Sequence, residues 1–303
     1  LRSEGGEGTV ALFEQMKAGE VKACWIICSN PVASVANRQQ VIDGLCQAEL
    51  VITQDAFLDT ETNRYADILL PDLTASEQMD FANDAFAGDM DYAIFADQAI
   101  EPMFECKSIY EMLTGVADKL GPEVKQQFTE GRTQEEWLRH LYEQSRALDP
   151  TYPTFEEFRA QGIIKRKNPD GTFIAYKAFR DNPAANPLTT PSGKIEIFST
   201  QLAGITDWKR TQYGEPIPYL PKWIEPFESL NHPLAKKFPF HLITPHPRER
   251  THSIYHNIAW LRETCQQEIT LNASDAAGLG VKTGDVVEVF NDRGRCVVPV
   301  YVT

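Results

Sequence analysis

Two short segments with polar side chains follow apolar runs that have the length of buried strands. Ser29-Asn30-Pro31 comes after the run at 21–28, and Gln54-Asp55 comes after the run at 50–53. Open α/β sheets bind ligands at the carboxyl ends of parallel strands, where polar side chains and free backbone N–H groups meet. An Asp in this place can bind ribose hydroxyls or a nucleoside edge. The alternative is that Asn30 and Asp55 only cap turns, and the spacing leaves both open.

A second candidate is a loop in which two His and two Arg crowd together. It reads Thr244-Pro245-His246-Pro247-Arg248-Glu249-Arg250-Thr251-His252-Ser253. Guanidinium and backbone N–H groups in such a loop can contact phosphate. A zinc loop is an alternative, although His246 and His252 lack the usual ligand partners. A solvated charged loop is the third interpretation.

Other motifs with chemistry are missing from the sequence. It contains no G-x-G-x-x-G, phosphate loop or nucleophile elbow, so an ordinary nicotinamide or flavin site is not favoured. The six cysteines form no C-x-x-C and no zinc or iron–sulfur ligand set. Cys24 and Cys28 lie four apart in one predicted strand, too far for a disulfide, and we expect buried core thiols. No catalytic residue and no metal ligand is predicted.

Composition narrows the class of protein. The chain has 303 residues, which suits two domains, and 42% of them are hydrophobic. Its net charge of −14 opposes nucleic-acid binding, which needs a basic surface to neutralise phosphates. No run of 18 apolar residues occurs, so the sequence predicts no membrane span.

The first half predicts the elements that would position the strand-end residues. A helix at 9–17, a strand at 21–28, a helix that begins at Asn37 and strands at 50–53 and 66–70 form a right-handed βαβ unit. Helices follow at 108–119, 134–148 and 154–161. Thr133 with Glu136 has the capping-box spacing at the second of these. The prediction is a parallel α/β sheet with a helical region.

The second half of the chain has a different sequence pattern, with turns, a proline-rich segment and short strands. Thr190-Pro191-Ser192-Gly193 predicts a turn, with a strand at 194–198 behind it, and 213–239 is a proline-rich linker. Strands are predicted at 240–244 and 269–272, a short helix at 273–279, and a hairpin around Asn291–Gly294. This texture favours a small barrel. The predicted domains are therefore 1–212 and 240–303, joined by the linker.

Several stretches together resemble a known family. They are Ser29-Asn30-Pro31, Gln54-Asp55 with Asp59-Thr60-Glu61-Thr62, Tyr65-Ala66-Asp67-Ile68-Leu69-Leu70-Pro71, Thr190-Pro191-Ser192-Gly193-Lys194-Ile195-Glu196 and the loop at 244–253. The chain resembles the C-terminal part of the molybdopterin oxidoreductases of the dimethyl sulfoxide reductase family. Ser76–Phe81 and Gln127–Thr133 are similar to the catalytic A subunits of the anaerobic dimethyl sulfoxide reductases. The resemblance implies a Rossmann-like parallel sheet domain with a helical insert, followed by a truncated double-psi β-barrel.

The resemblance also implies a cofactor: molybdenum held by two molybdopterin guanine dinucleotides. The positions that match the family's cofactor contacts are Ser29, Asn30, Pro31, Gln54, Asp55, Asp67, Thr244, His246, Arg250, His252 and Ser253. The family's [4Fe-4S] cysteines and its molybdenum ligand, a Ser in this subfamily, have no counterpart here. We therefore expect a fragment that holds cofactor and is inactive alone.

For the parent protein, the resemblance implies reduction of S-oxides or N-oxides. It further implies an iron–sulfur electron-transfer subunit, a membrane-anchor subunit and a place at the periplasmic face of the cytoplasmic membrane. A selenate or nitrate reductase of the same family is one alternative. A non-catalytic nucleotide-binding module on the same fold is another, and a zinc enzyme is a distant one.

Overall fold

The computed structural model of the chain describes residues 8–83, 92–166, 171–204, 218–226 and 228–303. It divides into two compact units. One comprises residues 1–166 with 245–303, and the other comprises residues 167–244. Among the described residues, no helix is long and apolar enough to cross a membrane.

The parallel sheet is confirmed. Its strands are β1 (Ala23–Ile27), β2 (Leu50–Asp55) and β3 (Ile68–Pro71), in the order β1-β2-β3. Helix α1 (Thr9–Lys17) and helix α3 (Arg38–Gln47) contribute to a core in which the buried side chains are Phe13, Met16, Val32, Val41, Leu45 and Val51. The two helices pack closely because Gly44 has no side chain; a Cβ there would lie 3.0 Å from the carbonyl oxygen of Phe13. The short helix α2 (Pro31–Ser34) follows β1 directly.

A second core combines helices with a sheet that the sequence did not predict. The antiparallel strands are β4 (Asp80–Asn83), β5 (Tyr92–Ala96) and β6 (Ile163–Lys165). The helices are α4 (Ile109–Leu120), α5 (Pro122–Thr129), α6 (Gln134–Leu148) and α7 (Phe155–Gln161). Capping boxes begin α4, α6 and α7, as the pattern at Thr133 predicted for α6. The buried side chains are Ala93, Phe95, Tyr142, Phe155, Phe158 and Ile164.

The elements predicted from residue 269 onward are confirmed, and one helix before them was not predicted. Helix α10 (Ala259–Thr264) precedes β7 (Ile269–Leu271), α11 (Ala273–Leu279), β8 (Val286–Asn291) and β9 (Gly294–Val302). The strand order is β7-β9-β8, with β7 parallel and β8 antiparallel to β9. The side chain of Asn272 accepts from the backbone N–H of Asp275 and so begins α11.

Two predicted strands are wrong. The turn at Thr190–Gly193 forms, but 194–198 and 240–244 are not strands. Their apolar side chains are exposed, Ile197 to 70% and Ile243 to 76%. Alternation gives a strand only where a neighbouring strand accepts its hydrogen bonds. The second unit instead contains α8 (Lys177–Asp181), α9 (Thr200–Gly204) and a 3-10 turn (Pro233–Lys236). Part of the predicted linker, 213–217 and residue 227, lies outside the described residues.

The cysteines correct another expectation. All six are free, which agrees with the absence of a Cys24–Cys28 disulfide. None of them is a fully buried core thiol, however: Cys24, Cys106 and Cys265 are half-buried, and Cys28, Cys46 and Cys296 are exposed. Cys28 also has a backbone φ of 50°, in the left-handed region, immediately after β1.

Candidate cofactor-binding site

The carboxyl edge of the parallel sheet brings the two predicted segments together. Ile27 is in register with Gln54, and Asp55 is in register with Pro71. The backbone N–H of Cys28 donates to the carbonyl oxygen of Gln54. Ser29 is exposed, Pro31 is buried at the start of α2, and Asn30 is half-buried. The residues that follow β1 therefore lie beside the residues that end β2.

Both the amide nitrogen and the amide oxygen of Asn30 form hydrogen bonds with the turn that follows β2. Its amide nitrogen donates to Oε2 of Glu61 across 2.9 Å, and its amide oxygen accepts from the hydroxyl of Thr62 across 2.6 Å. Thr62 is fully buried, and its hydroxyl oxygen also accepts from the backbone N–H of Val32. Asn30 therefore organises this edge and does not offer a free amide. Glu61 and Thr62 were missed as site residues, although they lie in a stretch that carried the family resemblance.

Asp55 takes the turn-capping role that the sequence left open. Its Oδ1 accepts from the backbone N–H of Phe57 at 2.9 Å, and its Oδ2 accepts from the amide of Asn63 at 3.3 Å. The residue is half-buried. A carboxylate has about four lone-pair sites, so these two bonds leave room for a ligand donor.

Gln54 is buried and unsatisfied. Its side chain is 1% exposed, and neither its amide nitrogen nor its amide oxygen has a hydrogen-bond partner among the described residues. A buried polar group without a partner costs about 1–3 kcal/mol. A group that both donates and accepts, such as a nucleobase edge, would satisfy it.

Asp67 does not join the other residues. It precedes β3, and its carboxylate accepts from the backbone N–H of Val51 at 2.7 Å, near the start of β2. Val51 and Gln54 are separated by three steps along β2, roughly 10 Å at about 3.3 Å per residue. Asp67 therefore ties β2 to β3 at the amino end of the sheet.

Hydrogen bonds and a contact between two rings hold the loop of His and Arg residues. The backbone N–H of His252 donates to Nε2 of His246 across 3.3 Å, and the two rings meet edge to face at 6.1 Å. Arg250 donates to the side-chain oxygen of Gln267 across 3.2 Å. Ser253 is half-buried. Thr244 is exposed and belongs to the second unit. No group of three or more possible metal ligands occurs in the described part of the chain.

The charges of Arg250 in this loop and of Glu61 in the strand-end turn both act on His256. Burial lowers the pKa of His256, as does the charge of Arg250, while the charge of Glu61 raises it. The hydrogen bond from Asn30 is the main cause that lowers the pKa of Glu61, and the charges of His256 and Arg38 add to it. Nδ1 of His256 is buried, with no hydrogen-bond partner in the described ranges. Guanidinium, carboxylate and unsatisfied amide groups thus lie within one compact unit.

These residues fit an anionic nucleotide. Carboxylates and an amide match the N–H and carbonyl groups of a purine edge, and arginine matches its phosphates. Side-chain atoms of Gln54 and His256 are buried and have no hydrogen-bond partner among the described residues, and a polar ligand could supply one.

Comparison with known proteins identifies the family. Residues 2–119 match the molybdopterin oxidoreductase family, and residues 240–303 match the molydopterin dinucleotide binding domain. The chain belongs to the molybdopterin oxidoreductase family. The cofactor of this protein is accordingly molybdenum bound by two molybdopterin guanine dinucleotides.

Individual relatives place the chain more finely. It is 49% identical over 287 residues to dimethyl sulfoxide reductase DmsA of Escherichia coli. The matched region covers 93% of this chain and 35% of that protein. It is 34% identical over 313 residues to the dimethyl sulfoxide/trimethylamine N-oxide reductase of Cereibacter sphaeroides, which covers 98% of this chain and 36% of that one. The chain thus spans about a third of the length of these relatives.

A solved structure supports the fold alone. Acetylene hydratase from Pelobacter acetylenicus matches with a TM-score of 0.73 and 24% identity, over 97% of this chain and 37% of that one.

Proposed function

We propose that this chain contributes part of the cofactor clamp in an enzyme that removes an oxygen atom from S-oxides or N-oxides. The observation that carries the proposal is the buried side-chain amide of Gln54, which lies near the carboxyl end of β2 and has no partner among the described residues. The names of the relatives, which are reductases of dimethyl sulfoxide and trimethylamine N-oxide, supply the substrate class.

The chain's own residues hold the cofactor and do no chemistry on the substrate. Gln54, Asp55 and Glu61 bind a guanosine, with Ser29, Asn30 and Pro31 shaping that edge. Arg250, His246, His252 and Ser253 contact pterin and phosphate groups. Thr244 and Asp67 match positions of the family's cofactor contacts, but Asp67 lies at the amino end of the sheet and Thr244 belongs to the other unit. The bound cofactor would supply two-electron, oxygen-atom-transfer chemistry, while residues such as Gln54, Asp55 and Arg250 would hold and orient it. The net charge of −14 repels an anionic cofactor, so its attraction depends on local cations such as Arg250.

The domain architecture is part of the proposal. Residues 1–212 form the dinucleotide domain with its helical region, 213–239 a linker, and 240–303 part of a double-psi β-barrel. The match of the second family model from residue 240 supports this division. So does the hairpin of β8 and β9, in which Val286, Phe290 and Val297 on one face are more than half exposed. Apolar side chains on that face need further protein to cover them.

For the whole protein, we propose further subunits: an iron–sulfur protein that delivers electrons and a membrane anchor, at the periplasmic face of the cytoplasmic membrane. A [4Fe-4S] cluster belongs to a part of the whole protein outside these residues. Two relatives are named as a dimethyl sulfoxide reductase and as a chain of such a reductase, which supports the presence of further subunits.

The test uses the full-length protein that contains these residues. We expect molybdenum and two guanines per protein, and reduction of dimethyl sulfoxide and trimethylamine N-oxide by a reduced dye. Reduction of nitrate or selenate in their place would favour the related reductases. Guanine nucleotide binding without redox activity would favour a non-catalytic module and overturn the proposal.

A further inference from the structure

A strained and exposed aromatic residue stands outside the candidate site. Phe104 has a backbone φ of 58°, in the left-handed region that a Phe rarely adopts, and its side chain is 95% exposed. It lies in the loop at 97–107, which links β5 to α4. An exposed Phe on a costly backbone conformation requires a reason, because neither feature stabilises the folded chain by itself.

The loop is held in this conformation by the buried carboxylate of Glu77. That side chain is 2% exposed and accepts from the backbone N–H of Met103 at 2.8 Å and from the N–H and hydroxyl of Thr74 at 2.8 Å. The carbonyl oxygen of Ser76 accepts from the backbone N–H groups of Ala99 and Ile100. Phe104 is therefore presented by an anchored loop.

The surface of the loop has a definite chemistry. Ile100, Met103 and Phe104 are 46%, 51% and 95% exposed, and we call these three residues the Phe104 patch. Glu101 and Glu105 flank the patch and are exposed. Neither forms an ion pair with any residue in the described ranges. An apolar centre with a charged rim is the usual anatomy of a protein–protein interface, in which a buried aromatic side chain contributes most of the affinity.

We propose that the Phe104 patch is a docking surface for a second polypeptide that presents an apolar pocket rimmed by Lys or Arg. The acidic rim sets this choice of partner. A second copy of this chain would bring like charge against the rim, because the net charge is −14. A nucleotide would bring phosphates against the same carboxylates. The proposal rests on the proposed function, which supplies the partner to be tested: the iron–sulfur subunit of the whole enzyme.

The experiment measures binding of the purified iron–sulfur subunit to the full-length, cofactor-loaded protein. Phe104→Asn removes the aromatic ring and leaves a residue that tolerates the left-handed conformation, so the fold is retained. We expect it to raise the dissociation constant at least tenfold, while the dissociation constant of Phe104→Tyr stays near the wild-type value. Leu148→Ala is the matched control, since Leu148 is 90% exposed at the end of α6 and should not matter. Glu101→Lys combined with Glu105→Lys should slow association and reduce its dependence on salt.

Three outcomes separate the possibilities. Unchanged affinity of Phe104→Asn overturns the docking proposal. Protection of Phe104 from hydroxyl-radical labelling in the full-length protein without partner also overturns it, because another part of the same protein then covers the patch. Wild-type protein that lacks molybdenum or reduces no S-oxide or N-oxide with a reduced dye contradicts the proposed function instead, whatever the binding result.

Discussion

The side-chain amide of Asn30 donates to the carboxylate of Glu61 across 2.9 Å and so ties the end of β1 to the turn that follows β2. The same amide accepts from the buried hydroxyl of Thr62. The edge where the cofactor is proposed to bind is therefore preorganised by hydrogen bonds between two loops that are far apart in sequence. Preorganisation of this kind lowers the cost of ordering the loops when a ligand binds.

Asn30→Ala should destabilise the chain and raise the pKa of Glu61. The substitution leaves Glu61 and Thr62 without their partner, and we expect the free energy of unfolding to fall by about 1–3 kcal/mol. Because the folded pKa of Glu61 is lowered, its contribution is present above the unfolded pKa and is lost as the pH falls through the folded value. Urea denaturation at neutral and acid pH measures this, with exposed Asn231→Ala as the control. Equal stability of Asn30→Ala and wild type at neutral pH would contradict it.

Gln54→Leu should stabilise the empty chain and weaken cofactor binding. Leucine removes two buried polar atoms that have no partner in the described ranges, which we expect to raise the free energy of unfolding of the 303-residue chain by about 1 kcal/mol. The full-length protein should in turn contain less molybdenum and guanine. Gln47→Leu on the exposed end of α3 is the matched control. If the variant is destabilised and keeps full cofactor content, the amide of Gln54 has a structural role only.

Arg250→Ala should lower cofactor occupancy in the intact enzyme. Arg250 is a half-buried cation whose charge acts on His256 beside the strand-end turn, where it can attract the cofactor's phosphates. We expect a severalfold loss of molybdenum per protein, measured by elemental analysis. Arg248→Ala removes a neighbouring exposed cation and should have a smaller effect. Unchanged molybdenum content in Arg250→Ala would refute the assignment.

Asp149 should make stability depend on acid pH. Hydrogen bonds from Thr151 and Arg166 lower the pKa of Asp149 to about 2. Its contribution is therefore fully present above the unfolded pKa of about 3.9 and is lost as the pH falls from about 4 to about 2. The stability difference between wild type and Asp149→Asn, measured by urea denaturation, should be constant above pH ~5 and shrink towards pH ~2. A difference that does not change over this range would show that another group is responsible.

Local patterns in the sequence determined most of the helices and the parallel strands. The bounds of α1, α6 and α11 are those predicted, because apolar spacing and capping residues such as Thr133 act within a few residues of each other. The hairpin of β8 and β9 is also local, since its turn residues lie between the strands. Helix α5 was missed because it is short, begins at Pro122 and follows α4 without a loop.

The tertiary structure decided which strands found partners. Strand β5 pairs with β6, which lies far along the chain, and no local pattern predicts such a partner. The segments at 194–198 and 240–244 have no such neighbour among the described residues and are not strands.

The sequence likewise determined the chemical types at the candidate site and, through its resemblance, the family. The tertiary structure decided which of those groups are free to act. The amide of Asn30 is hydrogen-bonded to Glu61 and Thr62, and Asp67 lies at the opposite end of the sheet. The side-chain amide of Gln54 is buried and has no hydrogen-bond partner in the described part of the chain. Hydrogen-bond satisfaction depends on which side chains meet in space, so residue type and spacing could not predict it.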